Sequence, residues 1–216
     1  MNNFNIIIIF ISLIVIFTCA FYKSFKEGLT NKNNIILMGD SVLNNSNYVE
    51  KGDSVYDNLK KETNNVLNVA KDGATINELY QQLDKIPLNF NNSNTYIFIS
   101  VGGNDILEQR KQLTTTDIIN LFNTYLDFLK ALRVKLNNAN INIMNLYLPS
   151  NPRYKSYKQS IEQWNELINK YSNKVGEMYN VINLYSLLTS PEDFVYDIEP
   201  SNVASQKIAN IIYLSQ

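Results

Sequence analysis

The sequence predicts an α/β domain in which helices cover both faces of a parallel sheet. Several short apolar runs, rich in Ile, Val and aromatic residues, lack the alternating polar positions of a half-exposed strand, as expected of strands buried on both faces. Longer stretches with apolar residues at helical spacing lie between these runs, and this alternation is typical of parallel sheets with right-handed crossovers. A chain of 216 residues, 45% hydrophobic and 18% charged, has room for one such domain.

Five strands and three long helices are predicted. The strands are expected at residues 34–38, 65–69, 95–101, 141–148 and 181–184. One helix follows the cap candidates at residues 114–116, and a second carries its apolar stripe between residues 157 and 175. The last helix is expected to open at Pro200, because proline is favoured in a first helical turn. The aromatic residues along these helices are interpreted as core rather than as cofactor contacts.

The first 22 residues are predicted to form a membrane anchor. Residues 4–22 are apolar apart from Asn5, Ser12 and Thr18, and a run of this length, at about 1.5 Å per residue, can span a hydrocarbon core about 30 Å thick. A cleaved signal peptide is an alternative, because the small residues at 18–20 offer a cleavage site. A lipid-modified Cys19 is a third interpretation.

Charge and cysteine content bear on the location of the domain, on disulfides and on partners. Lys23 and Lys26 follow the apolar segment and no Lys or Arg precedes it, which for an anchor favours a cytoplasmic domain. Cleavage would instead release the domain outside the cell. Residues 23–33 are predicted to be a linker and residues 34–216 the folded domain, which contains no cysteine for a disulfide. A net charge of −1 provides no attraction to nucleic acid.

Small and polar residues follow four of the predicted strands. The carboxyl ends of parallel strands meet at one edge of a sheet, where active sites of such folds form. The four segments are Gly39-Asp40-Ser41, Ala70-Lys71-Asp72-Gly73-Ala74, Gly102-Gly103-Asn104-Asp105 and Asp197-Ile198-Glu199-Pro200-Ser201. Their side chains are therefore predicted to converge on one site.

These residue types fit acyl transfer by a serine. Ser41 is the predicted nucleophile, and the backbone N–H groups of Ser41 and Gly73, with the side-chain amide of Asn104, are the predicted donors to an oxyanion. The chain contains no histidine, which excludes a Ser-His-Asp triad. With no histidine and with Cys19 as its only cysteine, the chain is predicted to use no metal, and no cofactor is implied.

The four segments resemble the blocks of the SGNH (GDSL-like) hydrolases, a family named for Ser, Gly, Asn and His. The resemblance covers about residues 34–213. Residues 36–41 match the first block with Ser41 as nucleophile, Gly73 matches the second, and residues 102–105 match the third with Asn104 as the oxyanion-hole amide. The resemblance implies a flavodoxin-like three-layer α/β/α sandwich with five parallel strands in the order 2-1-3-4-5, and esterase activity.

The fourth block departs from the family pattern of Asp-x-x-His, often followed by proline. Glu199 stands at the histidine position before Pro200, Tyr196 stands at the aspartate position, and Asp197 is displaced by one residue. Glu199 is therefore the candidate base, although an ordinary glutamate, with a pKa near 4.3, is roughly two units less basic than histidine. The alternative is that Glu199 is the N-cap of the last helix, where the helix dipole lowers its pKa.

The other candidates also have structural interpretations. Gly39-Asp40-Ser41 fits an ordinary turn, and Asp40 can be a hydrogen-bonding residue that faces away from substrate. Gly73 fits a turn that needs positive φ. Asn104 and Asp105 both fit helix caps.

The predicted function is hydrolysis or transfer of an ester-linked acyl group by a membrane-tethered domain, with a small molecule, lipid or glycan as substrate. Ser41 attacks, Glu199 accepts its proton directly or through a water, and Ser41 N–H, Gly73 N–H and Asn104 bind the oxyanion. The alternative is a non-catalytic binding module on the same scaffold, for example for glycans, because the expected histidine is missing.

Overall fold

Five parallel strands form the central sheet, in the order β2-β1-β3-β4-β5. The computed structural model describes residues 33–109, 113–172 and 179–216. The predicted parallel sheet and its strand order are confirmed. The strands are β1 Asn34–Gly39, β2 Val66–Asn68, β3 Thr95–Ser100, β4 Asn140–Met144 and β5 Asn180–Ile182.

Helices connect these strands. They are α1 Val55–Glu62, α2 Leu79–Asp84, α3 Gly103–Leu107, α4 Thr115–Lys135, α5 Lys158–Ser172, α6 Leu184–Leu187 and α7 Asn202–Leu214. The longest, α4, begins with a capping box in which the Asp117 N–H donates to Thr114 Oγ1 and the Thr114 N–H donates to the Asp117 carboxylate. The N-cap is therefore Thr114, the first of the predicted candidates.

Alternate residues of β1 belong to two different cores. Ile36 and Met38 pack in a cluster with α2, α4 and α5, whereas Ile35 and Leu37 pack with α1 and α7. All four side chains are fully buried, because successive residues of a strand point to opposite faces and helices cover both. The architecture is a three-layer α/β/α sandwich.

Two strands, β4 and β5, end two or more residues earlier than predicted. β4 stops at Met144, and the next residue, Asn145, directs its side chain to the segment after β5: its Oδ1 accepts the Tyr185 N–H and its Nδ2 donates to Asn183. β5 stops at Ile182, because Asn183 caps α6. At the end of β5, the Asn183 side chain accepts the Ser186 N–H, and such a bond to nearby backbone competes with sheet pairing.

The last helix begins later than predicted. Its N-cap is Ser201, whose Oγ accepts the Ala204 N–H at 3.3 Å. Pro200 lies instead in a short antiparallel hairpin formed by β6 Phe194–Val195 and β7 Glu199–Pro200. The prediction that Pro200 opens the helix is wrong, and so is the interpretation of Glu199 as its N-cap.

Two predictions concern the N-terminal segment, residues 1–33. The anchor proposed at residues 1–22, and the linker at 23–33 except for Asn33, lie outside the described residues. Asn33–Gln216 forms one compact unit. Within the ranges that the structure describes, none of the helices combines the length and the apolar character needed to cross a membrane.

Gly39→Ala is expected to destabilise the domain strongly. Gly39 ends β1 with φ at 127°, and a Cβ atom there would lie 1.8 Å from the Ser100 carbonyl oxygen of β3. Such backbone strain costs about 1–3 kcal/mol and overpacking typically costs a further 1–3 kcal/mol. We expect the free energy of unfolding, measured in urea, to fall by about 3 kcal/mol or more.

Gly52→Ala is the matched control for this substitution. Gly52 also has positive φ, at 95°, but no atom lies within 4 Å of the position of its Cβ. The free energy of unfolding of Gly52→Ala is therefore expected to fall only by the cost of backbone strain. Equal losses in the two variants would contradict the argument from close approach of β1 and β3.

Candidate active site

Ser41 and Glu199 meet beyond the carboxyl edge of the sheet. Ser41 lies two residues after the end of β1, and Glu199 lies in β7, paired with Val195 across the hairpin. The Ser41 hydroxyl, in a residue only 8% exposed, lies near enough to the Glu199 carboxylate to favour its charged form, and both residues line the same cavity. The structure thus brings the predicted nucleophile and the predicted base to the same cavity.

The surroundings of Glu199 make it a better base than a surface glutamate. Burial raises the pKa of Glu199 above its ordinary value, the Ser41 hydroxyl opposes this rise, and the negative charge of Asp72 adds to it. Its Oε2 atom is buried and has no hydrogen-bond partner among the described residues. The sequence-based alternative of a pKa lowered by a helix N-terminus is wrong, because Glu199 lies in a strand two residues before the N-cap.

Asn104 lies beside Ser41 in the first turn of α3. The N-cap of α3 is Gly102, so the interpretation of Asn104 as a cap is wrong. Asn104 Nδ2 donates one hydrogen bond to the Ala74 carbonyl oxygen at 2.9 Å. This contact fixes the amide, and the second Nδ2 hydrogen is left for a ligand. Asn104, Ser41 and Glu199 all line the same cavity.

Gly73 lies at the rim of the site rather than in the wall of this cavity. It is exposed, has the predicted positive φ, at 72°, and immediately precedes Ala74, the residue that accepts from Asn104. Gly73 is not part of the cavity lining. In the described part of the chain, no backbone or side-chain acceptor takes the N–H of Ser41 or of Gly73. Both N–H groups are available to an incoming oxygen atom.

Asp40 and Asp105 make structural contacts. Asp40 Oδ1 accepts the Val42 N–H and the Ser100 hydroxyl, each at 3.1 Å, as the structural interpretation of Asp40 predicted. Burial raises the pKa of Asp40 to about 7. Both oxygens of Asp105 lie 3.2 Å from the Ile76 nitrogen and accept its N–H, so Asp105 joins α3 to the segment after β2 and is not the N-cap of α3.

The stability of the wild type is expected to fall as pH rises, and Asp40→Asn is expected to abolish this fall. An unfolded aspartate ionises near pKa 3.8 and folded Asp40 near 7, so the folded state retains a proton that the unfolded state releases, and stability falls as pH rises between these values. Over this range the wild type should lose roughly 4 kcal/mol relative to Asp40→Asn, because asparagine keeps the accepting oxygen and does not ionise. Urea unfolding of both proteins at about pH 4 and about pH 8 measures the difference, and parallel pH dependence would contradict the assignment.

An apolar cavity of about 210 Å³ opens beside Ser41. Its walls include Ile106 and Leu107 of α3, Leu146 from the segment after β4, and Ile198 of the hairpin. The early end of β4 places this segment at the cavity instead of in the sheet. The cavity has the character of a site for an apolar group attached to a carbonyl held at Ser41.

Two residues that hold Glu199 in place were missed from sequence. The Tyr147 hydroxyl donates to the Ile198 carbonyl oxygen at 2.7 Å, and Asn45 Nδ2 donates to the Pro200 carbonyl oxygen at 3.3 Å. These two carbonyls flank Glu199 in the chain. Tyr147 lies inside the strand predicted at 141–148, so its position gave no signal, and nothing distinguishes Asn45 from the many other asparagines.

The displaced Asp197 has a different role from an orienting aspartate. Its carboxylate accepts hydrogen bonds from Asn151 Nδ2 at 2.7 Å and from Arg153 Nη1 at 2.9 Å. These contacts join the hairpin to the segment that precedes α5. Glu199 is therefore held through the backbone of its hairpin rather than by a neighbouring carboxylate.

The fold and the cavity together define the class of the protein. A three-layer α/β/α sandwich with strand order 2-1-3-4-5 is a flavodoxin-like fold, and its apolar pocket and Ser41 lie at the carboxyl edge of the sheet, where such folds bind ligands. Residues 35–203 match the family model described as GDSL-like Lipase/Acylhydrolase. The chain belongs to this family, and it is accordingly a hydrolase that acts on ester bonds. The predicted resemblance is confirmed.

Solved structures show the same fold at low sequence identity. A lipase from a goat rumen metagenome is 16% identical with a TM-score of 0.68, over 85% of this chain and 97% of that one. A member of the lipolytic G-D-S-L family from Veillonella parvula is 18% identical with a TM-score of 0.64, over 84% and 96%. The lipase/acylhydrolase from Enterococcus faecalis is 18% identical with a TM-score of 0.61, over 84% and 94%. No curated protein sequence matches the chain.

The described residues offer no obvious metal centre. Within the three described ranges, no group of three or more His, Cys, Asp or Glu side chains is arranged to hold a metal ion.

Proposed function

We propose that Ser41 and Glu199 form a catalytic dyad that hydrolyses or transfers the acyl group of an ester. The observation that carries the proposal is the placement of the Ser41 hydroxyl beside the Glu199 carboxylate at the wall of an apolar cavity. A nucleophile beside a base, with a pocket for the acyl group, is the arrangement that acyl transfer requires.

The first half of the reaction forms an acyl-enzyme. Ser41 Oγ attacks the ester carbonyl carbon while its proton passes to Glu199. The carbonyl oxygen becomes an oxyanion that accepts hydrogen bonds from the N–H groups of Ser41 and Gly73 and from the amide of Asn104. The tetrahedral intermediate then collapses, the C–O bond to the alcohol breaks, and Glu199 returns the proton to the leaving oxygen.

The second half releases the acid. A water molecule, or an acceptor alcohol in the case of transfer, gives its proton to Glu199 and attacks the acyl carbon. The Ser41 ester bond breaks, and the proton returns from Glu199 to Ser41. Each oxyanion donor of this kind contributes roughly 3–4 kcal/mol to transition-state stabilisation, so the three donors can offset part of the weakness of a carboxylate base.

The cavity supports a substrate whose acyl group is apolar. Its volume of about 210 Å³ and its Ile and Leu walls suit a short to medium aliphatic chain, whose burial is worth about 0.8 kcal/mol per methylene group. The alcohol portion of the ester then belongs to a small molecule, a lipid or a glycan.

A fluorophosphonate probe combined with a series of p-nitrophenyl esters tests this function. We expect the probe to modify the purified domain at Ser41, located by peptide mass spectrometry. We also expect kcat/KM to rise from the acetate to the butyrate ester and to fall again once the chain outgrows the cavity. An unlabelled Ser41 together with no turnover of any ester would refute the proposal.

We further propose that residues 1–22 tether the domain to a membrane. The support is the apolar run at residues 4–22. The full chain is expected to remain with membranes after carbonate extraction, and a chain that starts at residue 33 is expected to be released. Recovery of a shortened mature chain in the medium would favour the signal-peptide alternative and contradict the tether.

A further inference from the structure

Tyr196 is exposed and strained at the tip of the hairpin that carries Glu199. Its φ is 47°, in the left-handed region, and it is 74% exposed. Left-handed backbone is rare for a bulky residue, and hairpin turns that need it favour Asn, Asp or Gly. A side chain this exposed recovers little free energy from burial. Strain without burial is typical of residues at ligand-binding positions.

Two neighbours complete a surface around Tyr196. Its ring meets the ring of Tyr48 edge-on, with the centroids 5.9 Å apart, and the Tyr48 hydroxyl donates to Asp72 Oδ2 at 2.7 Å. We call Tyr48, Asp72 and Tyr196 the aromatic rim.

The aromatic rim borders the proposed site from outside the cavity. Asp72 immediately precedes Gly73, and the charge of Asp72 acts on Glu199. None of the three rim residues lines the apolar cavity. If the cavity holds the acyl group, the alcohol portion of the ester leaves Ser41 on the side that the cavity does not occupy. The rim is the surface available to that portion.

We propose that the aromatic rim binds the alcohol portion of the substrate, and that this portion carries a hydroxylated ring with an apolar face. The inference rests on the proposed esterase function. The exposed face of Tyr196 can stack on such a ring, and the Asp72 carboxylate, which has acceptor sites beyond the one that Tyr48 occupies, can accept a hydrogen bond from a ring hydroxyl. A sugar and a hydroxylated aromatic ring share this chemistry, and the test separates them.

Tyr196→Asn tests the proposal, because it is expected to raise stability and to lower selectivity for ring esters. Asparagine tolerates left-handed backbone, so the urea midpoint of unfolding is expected to rise. We expect the selectivity, defined as kcat/KM for a ring ester divided by kcat/KM for ethyl acetate, to fall about tenfold, a loss within the range that one aromatic contact supplies. The ring esters are methyl 6-O-acetylglucoside and hydroquinone monoacetate.

Tyr80→Asn is the matched control, because Tyr80 is also partly exposed, at 40%, but lies on α2 and packs edge-on against Phe128. It is expected to leave the selectivity unchanged. A fall with only one of the two ring esters supports the proposal and identifies the kind of ring. Unchanged selectivity in Tyr196→Asn with both ring esters, or a lower unfolding midpoint, would overturn it.

A binding measurement separates failure of this inference from failure of the esterase proposal. Methyl glucoside and hydroquinone are each added to the Ser41→Ala protein, and binding is followed by saturation-transfer NMR. Binding that disappears when Tyr196→Asn is combined with Ser41→Ala supports the rim even if the wild type turns over no ester. Absence of binding by both compounds, in a wild type that does hydrolyse ethyl acetate, would overturn the rim and leave the esterase proposal standing.

Discussion

Ser41→Ala is expected to lower kcat/KM for p-nitrophenyl butyrate by at least about 1,000-fold, because removal of a nucleophile ends covalent catalysis. The substitution deletes one hydroxyl beside the Glu199 carboxylate. The fold should therefore persist, with an unfolding midpoint close to that of the wild type. Since the Ser41 hydroxyl lowers the Glu199 pKa, its loss should raise that pKa further.

Ser46→Ala provides the control for this substitution. Ser46 is an exposed serine five positions along the same loop and is absent from the cavity lining. Its variant should retain both esterase activity and fluorophosphonate labelling. If Ser41→Ala and the wild type hydrolyse the ester at the same rate, Ser41 is not the nucleophile and the dyad must be abandoned.

Glu199→Gln is expected to lower kcat/KM by about 10² to 10⁴-fold, the usual contribution of a general base. Glutamine keeps the size and an accepting oxygen for Ser41 but cannot take its proton. The wild type should also lose activity as pH falls through the Glu199 pKa, because only the ionised carboxylate acts as a base. Burial raises that pKa above its ordinary value of 4.5, so the acidic limb of the pH profile should lie above pH 4.5 and be absent from the glutamine variant.

Other ionisable groups face Glu199, so a second variant is needed to assign the acidic limb of the pH profile to one carboxyl group. Asp40, Tyr48, Asp72 and Tyr147 all interact with it electrostatically, and the pKa of Asp40 is about 7. Asp40→Asn separates the two carboxyl groups: a limb that persists in this variant belongs to Glu199. A limb that disappears in Asp40→Asn and persists in Glu199→Gln would assign the titration to Asp40 and count against Glu199 as the base.

Glu199→His addresses the missing histidine directly. If the dyad operates as proposed, the wild type is active and histidine at this position changes the pH profile toward an imidazole pKa near 6.5. An inert wild type combined with an active histidine variant would show that the site has lost its base. That result would favour the binding-module interpretation of this chain over the dyad.

Much of the fold could be predicted from local pattern. Buried parallel strands have no polar face, so Ile35–Ile36–Leu37–Met38 stand out as a strand, and helical spacing marks the residues that α4 and α5 bury. The residues that follow β1 and β3 were found by the rule that parallel strands deliver their carboxyl ends to one edge. Ser41 and Asn104 were placed together in this way.

Local pattern failed where two conformations suit the same residues. Pro200 fits a first helical turn, yet its fixed φ also suits the extended β7, and the cap of Ser201 decides the start of α7. The segment after β4 is as apolar as the strand itself, and only the backbone pairing with β5 shows where the strand ends.

The sequence by itself determined the sandwich, the strand order through its family resemblance, and the presence of Ser41, Gly73, Asn104 and Glu199 at one edge. Only the tertiary structure decided that Glu199 and Ser41 line the same cavity and that burial raises the Glu199 pKa instead of a helix dipole lowering it. The physical reason is that the contacts which fix Glu199 join distant parts of the chain: the bond to the Ile198 carbonyl spans 51 positions and the bond to the Pro200 carbonyl spans 155. Periodicity and propensity act over a few residues, whereas the burial and orientation of a carboxylate depend on which distant segments pack around it.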